Sequence, residues 1–196
     1  MDNNEPIKVI LLGESGVGKT NLINVSLGRN FNDESLSTQS CYYSESSFTY
    51  NDKAYNYNLW DTAGQEQYRS LNKIFLQKAK IILLVYSIDN ENSFQEIEFW
   101  LNYVKENLED EKNILALIAN KSDLFERQKV SDDLGREFAE KNKMKFNITS
   151  AKDNSAQFKR FLIELLQEYV DLYGENLKKN NSFGIKSIKK KKKSKC

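Results

Sequence analysis

The sequence predicts an α/β fold: a six-stranded, mostly parallel sheet with one antiparallel edge strand and helices on both faces. Three observations predict it. Short apolar runs alternate with longer stretches of helical periodicity, as crossover-connected parallel strands require. The first apolar run leads straight into a glycine-rich turn and then a helix-like segment. Finally, 196 residues of 39% hydrophobic composition, with one Pro and eight Gly, suffice for one substantial core.

Strand candidates are Ile7–Leu12, Cys41–Tyr50, Tyr55–Trp60, Ile81–Ile88, Ile114–Ala119 and Lys145–Thr149. The second is rich in Ser and lacks clean alternation, which suits an edge strand paired with the third. Asn51-Asp52-Lys53 between them reads as a hairpin turn. Helical spacing links Phe94, Ile97, Leu101, Val104 and Leu108, and again Phe158, Phe161, Leu162, Leu165, Leu166 and Tyr169. Both stripes read as core-facing. From Gly174 onward the apolar rhythm fades toward a lysine cluster. The expected organisation is therefore a short extension over residues 1–6, a globular domain over 7–173 and a flexible tail over 174–196.

Charge and cysteine usage narrow the function. The formal net charge is +1, but residues 175–196 hold nine Lys against one Glu, so the tail carries +8 and the remainder −7. An acidic body argues against nucleic-acid binding, which needs positive charge spread over the fold. Cys41 and Cys196 do not suggest a disulfide framework, and a reducing compartment fits them. The chain has no His, so imidazole acid/base catalysis and imidazole metal ligation are excluded. Its N-terminus has no apolar signal region, and no apolar stretch approaches a membrane span. Any membrane contact is expected to be peripheral.

Gly13-Glu14-Ser15-Gly16-Val17-Gly18-Lys19-Thr20, between a strand and a helix, reads as a phosphate-binding P-loop. Glycines let backbone N–H groups converge on phosphate oxygens, and the helix directs its positive end to the same point. Lys19 adds a point charge and Thr20 a hydroxyl for magnesium. After the third strand, Trp60-Asp61-Thr62-Ala63-Gly64-Gln65-Glu66 places Asp61 to hold magnesium, Gly64 to offer an N–H to a terminal phosphate, and Gln65 to orient water. After the fifth strand stands Asn120-Lys121-Ser122-Asp123, at the sheet edge where ligands of open α/β sheets bind. The Asp123 carboxylate can accept two hydrogen bonds from guanine N1–H and its exocyclic amine, an arrangement adenine cannot match. Ser150-Ala151-Lys152 completes the pocket, with the Ala151 N–H expected to face the guanine carbonyl and Lys152 to flank it.

With these motifs in this order, the chain resembles a Ras-superfamily small GTPase over about residues 7–173, and so a P-loop NTPase of the G-domain kind. The resemblance implies GTP/GDP and Mg2+ as ligands. It implies that Glu14 through Thr20 hold phosphates, that Thr20, Thr38 and Asp61 serve the metal, and that Gln65 and Lys19 are catalytic. Phe31 would lie at the guanine edge, and Asn120, Lys121 and Asp123 would read the base. Trp60 before Asp61-Thr62-Ala63-Gly64-Gln65-Glu66, followed by Tyr68-Arg69-Ser70, resembles the Rab branch, which regulates vesicle traffic. Tyr43, Trp60 and Phe75 fall where that branch places an aromatic effector surface. The chain departs from the branch after Thr38, where Gln39-Ser40-Cys41-Tyr42-Tyr43 replaces a small glycine-containing apolar stretch.

The resemblance also implies effectors, an exchange factor and a GTPase-activating protein as partners, with a monomer expected. Lys186, Lys189 through Lys193 and Lys195 precede Cys196, a pattern suited to an anionic membrane surface plus one lipid chain. Geranylgeranylation of Cys196 would place the protein on the cytoplasmic face of intracellular membranes, lipid-anchored and with a cytosolic pool. Alternatives are another Ras-superfamily branch, a pseudo-GTPase that holds guanine nucleotide without cycling, and an adenine-nucleotide enzyme, which Asp123 disfavours.

Overall fold

The computed structural model describes residues 5–32, 42–61, 76–108 and 112–179. Among these residues six strands form one sheet: β1 (Ile7–Leu12), β2 (Tyr42–Tyr50), β3 (Lys53–Asp61), β4 (Ile81–Ser87), β5 (Ile114–Asn120) and β6 (Lys145–Ile148). Their spatial order is β2-β3-β1-β4-β5-β6. Among the described residues the β2–β3 pair alone is antiparallel; β3, β1, β4, β5 and β6 are joined in parallel. Among the described residues four α-helices follow: α1 (Lys19–Ser26), α2 (Glu91–Asn107), α3 (Asp132–Lys141) and α4 (Ser155–Lys179).

Alternation along the strands divides the apolar side chains between two faces. Val9 and Leu11 of β1, with Leu83 and Val85 of β4, join Leu22 and Ile23 of α1 and Phe158, Leu162 and Leu166 of α4 in one core. Ile10 and Leu12, with Ile82, Leu84 and Tyr86, join Ile97, Trp100, Leu101 and Val104 of α2 and Ala139 of α3 in the other. β4 is buried at every position, so its unbroken apolar run is what a central parallel strand requires. The two helical stripes read from the sequence do face the core, with Phe94, Leu108 and Phe161 only partly buried.

Several boundaries differ from the sequence reading: β3 runs to Asp61 rather than Trp60, β4 stops at Ser87 rather than Ile88, β6 stops at Ile148 rather than Thr149, and Cys41 lies outside the described residues. Lys53, expected in the hairpin turn, is the first residue of β3 and pairs with Tyr50. Asn51 and Asp52 both take positive φ, 49° and 59°, and so close a two-residue hairpin of the twist that suits right-handed strands. The fifth strand reaches Asn120, because Ser87 continues the β4–β5 ladder opposite it. α4 continues past Gly174 to Lys179. One helical glycine costs only about 1 kcal/mol, which a helix already packed along one face tolerates.

Candidate functional site

Phosphate, metal and base motifs converge at the carboxyl ends of the parallel strands. β1 hands the chain to Gly13, whose φ is +143°, and a Cβ there would stand 2.1 Å from the Val85 carbonyl oxygen of β4. Only glycine lets the loop cross the neighbouring strand so closely. Gly18 is the N-cap of α1 in the left-handed region, and its missing Cβ would meet Asn120 Nδ2 at 2.4 Å. No side chain caps α1 and no acidic residue lies in its first turn. Its leading N–H groups and positive end are therefore suited to an anion.

Lys19 opens α1 and is only 5% exposed. Its Nζ donates to the carbonyl oxygens of Gly13 at 2.7 Å and Glu14 at 2.8 Å. Burial lowers its pKa to about 8, against the opposing pull of the Asp61 and Glu14 carboxylates. An ammonium has three donors, and two are directed to the loop's own backbone, which aims the third.

Asp61 ends β3 opposite Leu11 and is 6% exposed. Together with Thr20 it lines a cavity of about 200 Å³ whose other walls are Ile23, Asn24, Arg29, Ser44 and Leu59. A hydroxyl and a carboxylate on one cavity are oxygen donors that suit magnesium, which commonly takes one or two protein ligands and completes its shell with water and phosphate. Among the described residues no cluster of three His, Cys, Asp or Glu forms a dedicated metal cage.

On the base side, Asn120 is 1% exposed and joins three loops. Its Nδ2 donates to the Val17 carbonyl at 2.7 Å, and its Oδ1 accepts from the Ala151 N–H at 3.4 Å. The amide expected to read the base thus holds the phosphate loop against the Ser150 loop, and the Ala151 N–H expected to face guanine points to Asn120. Ser150 Oγ donates to Asp123 Oδ1 at 2.5 Å and accepts from the N–H groups of Lys152 and Asp153. One hydroxyl therefore organises its own turn and orients the carboxylate. Lys121 takes φ +63° and leads into a 3-10 turn over Ser122–Arg127; its side chain is half-buried, while Lys152 is exposed.

Within the phosphate loop Ser15 and Gly16 are exposed and Val17 is buried. Phe31 is partly buried against the α1–α4 core, and paired Asn21–Asn32 hydrogen bonds of 2.9 and 3.2 Å hold the segment around it. At the far edge, Tyr43 is 54% exposed and stacks on Trp60, with ring centroids 5.2 Å apart, while Lys8 Nζ lies 4.2 Å from the Trp60 ring centroid. Thr38, Gly64, Gln65, Phe75 and Cys196 lie outside the described residues.

The sequence reading passed over Trp100, whose Nε1 donates to Glu14 Oε1 at 3.2 Å from α2. A Trp on a buried stripe needs a partner for its N–H, and this was the available signal. Arg29, on the cavity wall and bonded to Asn24 at 3.2 Å, left no comparable trace.

A phosphate loop at the strand ends, a metal-suited hydroxyl and carboxylate beside it, and a separate side-chain loop for the base define a P-loop nucleotide-binding protein. The Ras family pattern matches residues 8–170. The chain is 40% identical over 148 residues to the Ras-related protein Rab-11B of Dictyostelium discoideum, covering 76% of this chain and 67% of that protein. The chain belongs to the Ras family and is a Rab-like small GTPase.

Proposed function

We propose that this protein is a magnesium-dependent GTP/GDP switch that regulates vesicle traffic. The observation that supports it best is the joint construction of the phosphate and base loops, with Lys19 directed by two carbonyls and Asp123 by Ser150. Thr20, Thr38 and Asp61 would hold the metal, which when bound offsets charge on the phosphate oxygens. Lys19 would stabilise negative charge as the terminal phosphoryl group transfers to water, and Gln65 would orient that water. With Thr38 and Gly64 responding to the terminal phosphate, hydrolysis would release both and alter the surface offered to effectors. Slow intrinsic turnover and stimulation by an activating protein, by roughly 10³–10⁵, belong to the same reading.

Tyr43, Trp60 and Phe75 would contact effectors. No described helix is long and apolar enough to cross a membrane. Attachment would rest on lipidation of Cys196 and the adjacent lysines, with a monomer cycling between intracellular membrane surfaces and cytosol. The direct experiment is to denature purified protein, identify released nucleotide by chromatography, and then measure single-turnover GTP hydrolysis for wild type and Gln65→Leu. Guanine nucleotide in the released fraction and loss of hydrolysis in the variant are expected. An empty protein indifferent to micromolar GDP would overturn the reading.

A further inference from the structure

A carboxylate within a loop built for anions is a local conflict, and Glu14 presents one. Its backbone carbonyl accepts from Lys19 Nζ at 2.8 Å, while its carboxylate lies near enough to favour the Lys19 ammonium electrostatically. An unrestrained carboxylate there would compete with phosphate for the same cation and repel the phosphate itself. The carboxylate is instead held from the α2 side, where Trp100 Nε1–H donates to Glu14 Oε1 at 3.2 Å across 86 residues of sequence.

The donor is itself rigidly placed. Trp100 is 2% exposed and lies in the core cluster that contains Ile10 and Leu12, the strand leading into the loop. Its ring meets Phe99 edge-on at 5.4 Å and Tyr103 at 6.4 Å. The indole cannot follow Glu14 without repacking that face, so the hydrogen bond restrains the carboxylate rather than the reverse.

We propose that Trp100 is a positioning residue of the nucleotide site, whose indole N–H holds the Glu14 carboxylate off the Lys19 ammonium that the phosphates need. The role rests on Gly13 through Thr20 being a phosphate loop. It also gives α2 a direct hold on nucleotide retention. Trp100 acts through Glu14 and touches no substrate.

The test is a double-mutant cycle on full-length protein loaded with the fluorescent nucleotide mant-GDP in magnesium. W100F keeps an apolar ring and removes the donor, and it should speed mant-GDP release about tenfold. In an E14A background the same W100F substitution should change release less than twofold, because no carboxylate remains to compete. Equal acceleration in both backgrounds would mean that only packing was lost, and would overturn the proposal; so would no acceleration in either. Should W100F fail to fold, the indole 15N–1H resonance of Trp100 decides, assigned against W60F because the chain has only two Trp. E14A should move that resonance upfield, as loss of an acceptor requires, and a stationary resonance would overturn the proposal. Failure of wild type to take up mant-GDP would overturn the functional reading and this role with it, whereas uptake with release unaffected by W100F overturns the role of Trp100 alone.

Discussion

The phosphate loop and the base loops sit side by side at one sheet edge but are made of different materials. The phosphate loop relies on missing side chains: Gly13 passes 2.1 Å, measured from where a Cβ would be, from the Val85 carbonyl, and Gly18 passes Asn120 in the same way. The groups it would offer to phosphate are backbone N–H groups and one buried lysine. The base loops rely on side chains, with Ser150 orienting Asp123 and Asn120 joining Val17 to Ala151. Backbone amides meet any phosphate alike, whereas a carboxylate of fixed direction distinguishes one purine from another. If the two loops serve a nucleotide as proposed, tight binding and base selectivity would be separable, although Asn120 fastens the two loops together.

This contrast can be broken most severely at Gly13. Gly13→Ala must move either the loop or β4, and overpacking against a carbonyl at a positive φ should cost on the order of 3 kcal/mol of stability and abolish tight binding of any nucleotide. Denaturant titration checks it, and an unchanged midpoint would show that the loop does not need the close passage. Asp123→Ala should spare the phosphate loop and lower the preference for GTP over ATP by roughly 10–100-fold, since a charge-assisted hydrogen bond contributes about 1.5–3 kcal/mol. Competition between the two nucleotides measures this, and equal losses for both would erase the division of labour.

Ser150→Ala removes the hydroxyl that orients Asp123 and that also accepts from the Lys152 and Asp153 N–H groups. Loss of the bond to Asp123, about 1 kcal/mol, should make GTP binding at least roughly fivefold weaker, with ATP binding less affected, as calorimetry can test. The smallest effect near neutral pH belongs to Lys19. With its folded pKa lowered from 10.5 to about 8, the unfolded chain holds this proton between those values and the free folded protein does not. Folding stability from this group therefore rises as pH climbs from about 8 to 10.5. Bound phosphate favours the ammonium, so nucleotide affinity should fall over the same window, by at most about tenfold per pH unit. Calorimetry in buffers of different ionisation enthalpy would show proton uptake on binding above pH 8, and the absence of uptake would contradict a depressed Lys19.

What the residues disclosed without coordinates was whatever lies close together in the chain. Gly13 through Thr20, Asn120 through Asp123 and Ser150 through Lys152 are runs whose chemistry is visible in order, and β1 appears with both its ends correct because six apolar residues stop at a glycine. Apolar periodicity likewise disclosed which stripes of α2 and α4 turn inward. Lys53 was misplaced because turn residues and strand residues are not distinguished by polarity. The end of α4 was misplaced because composition alone does not weigh one glycine against a packed face.

Tertiary structure decided the rest, for one physical reason: packing brings groups together irrespective of their separation along the chain. Asn120 meets Val17 across 103 positions and Trp100 meets Glu14 across 86, and neither contact leaves a spacing to read. The burial that lowers the Lys19 pKa is also a property of the assembled sheet and helices, because desolvation depends on every neighbour at once. The sequence by itself determined which chemical groups this protein brings to a nucleotide. Folding determined which of them are brought together at the strand ends and which, like Asn120, hold others in place.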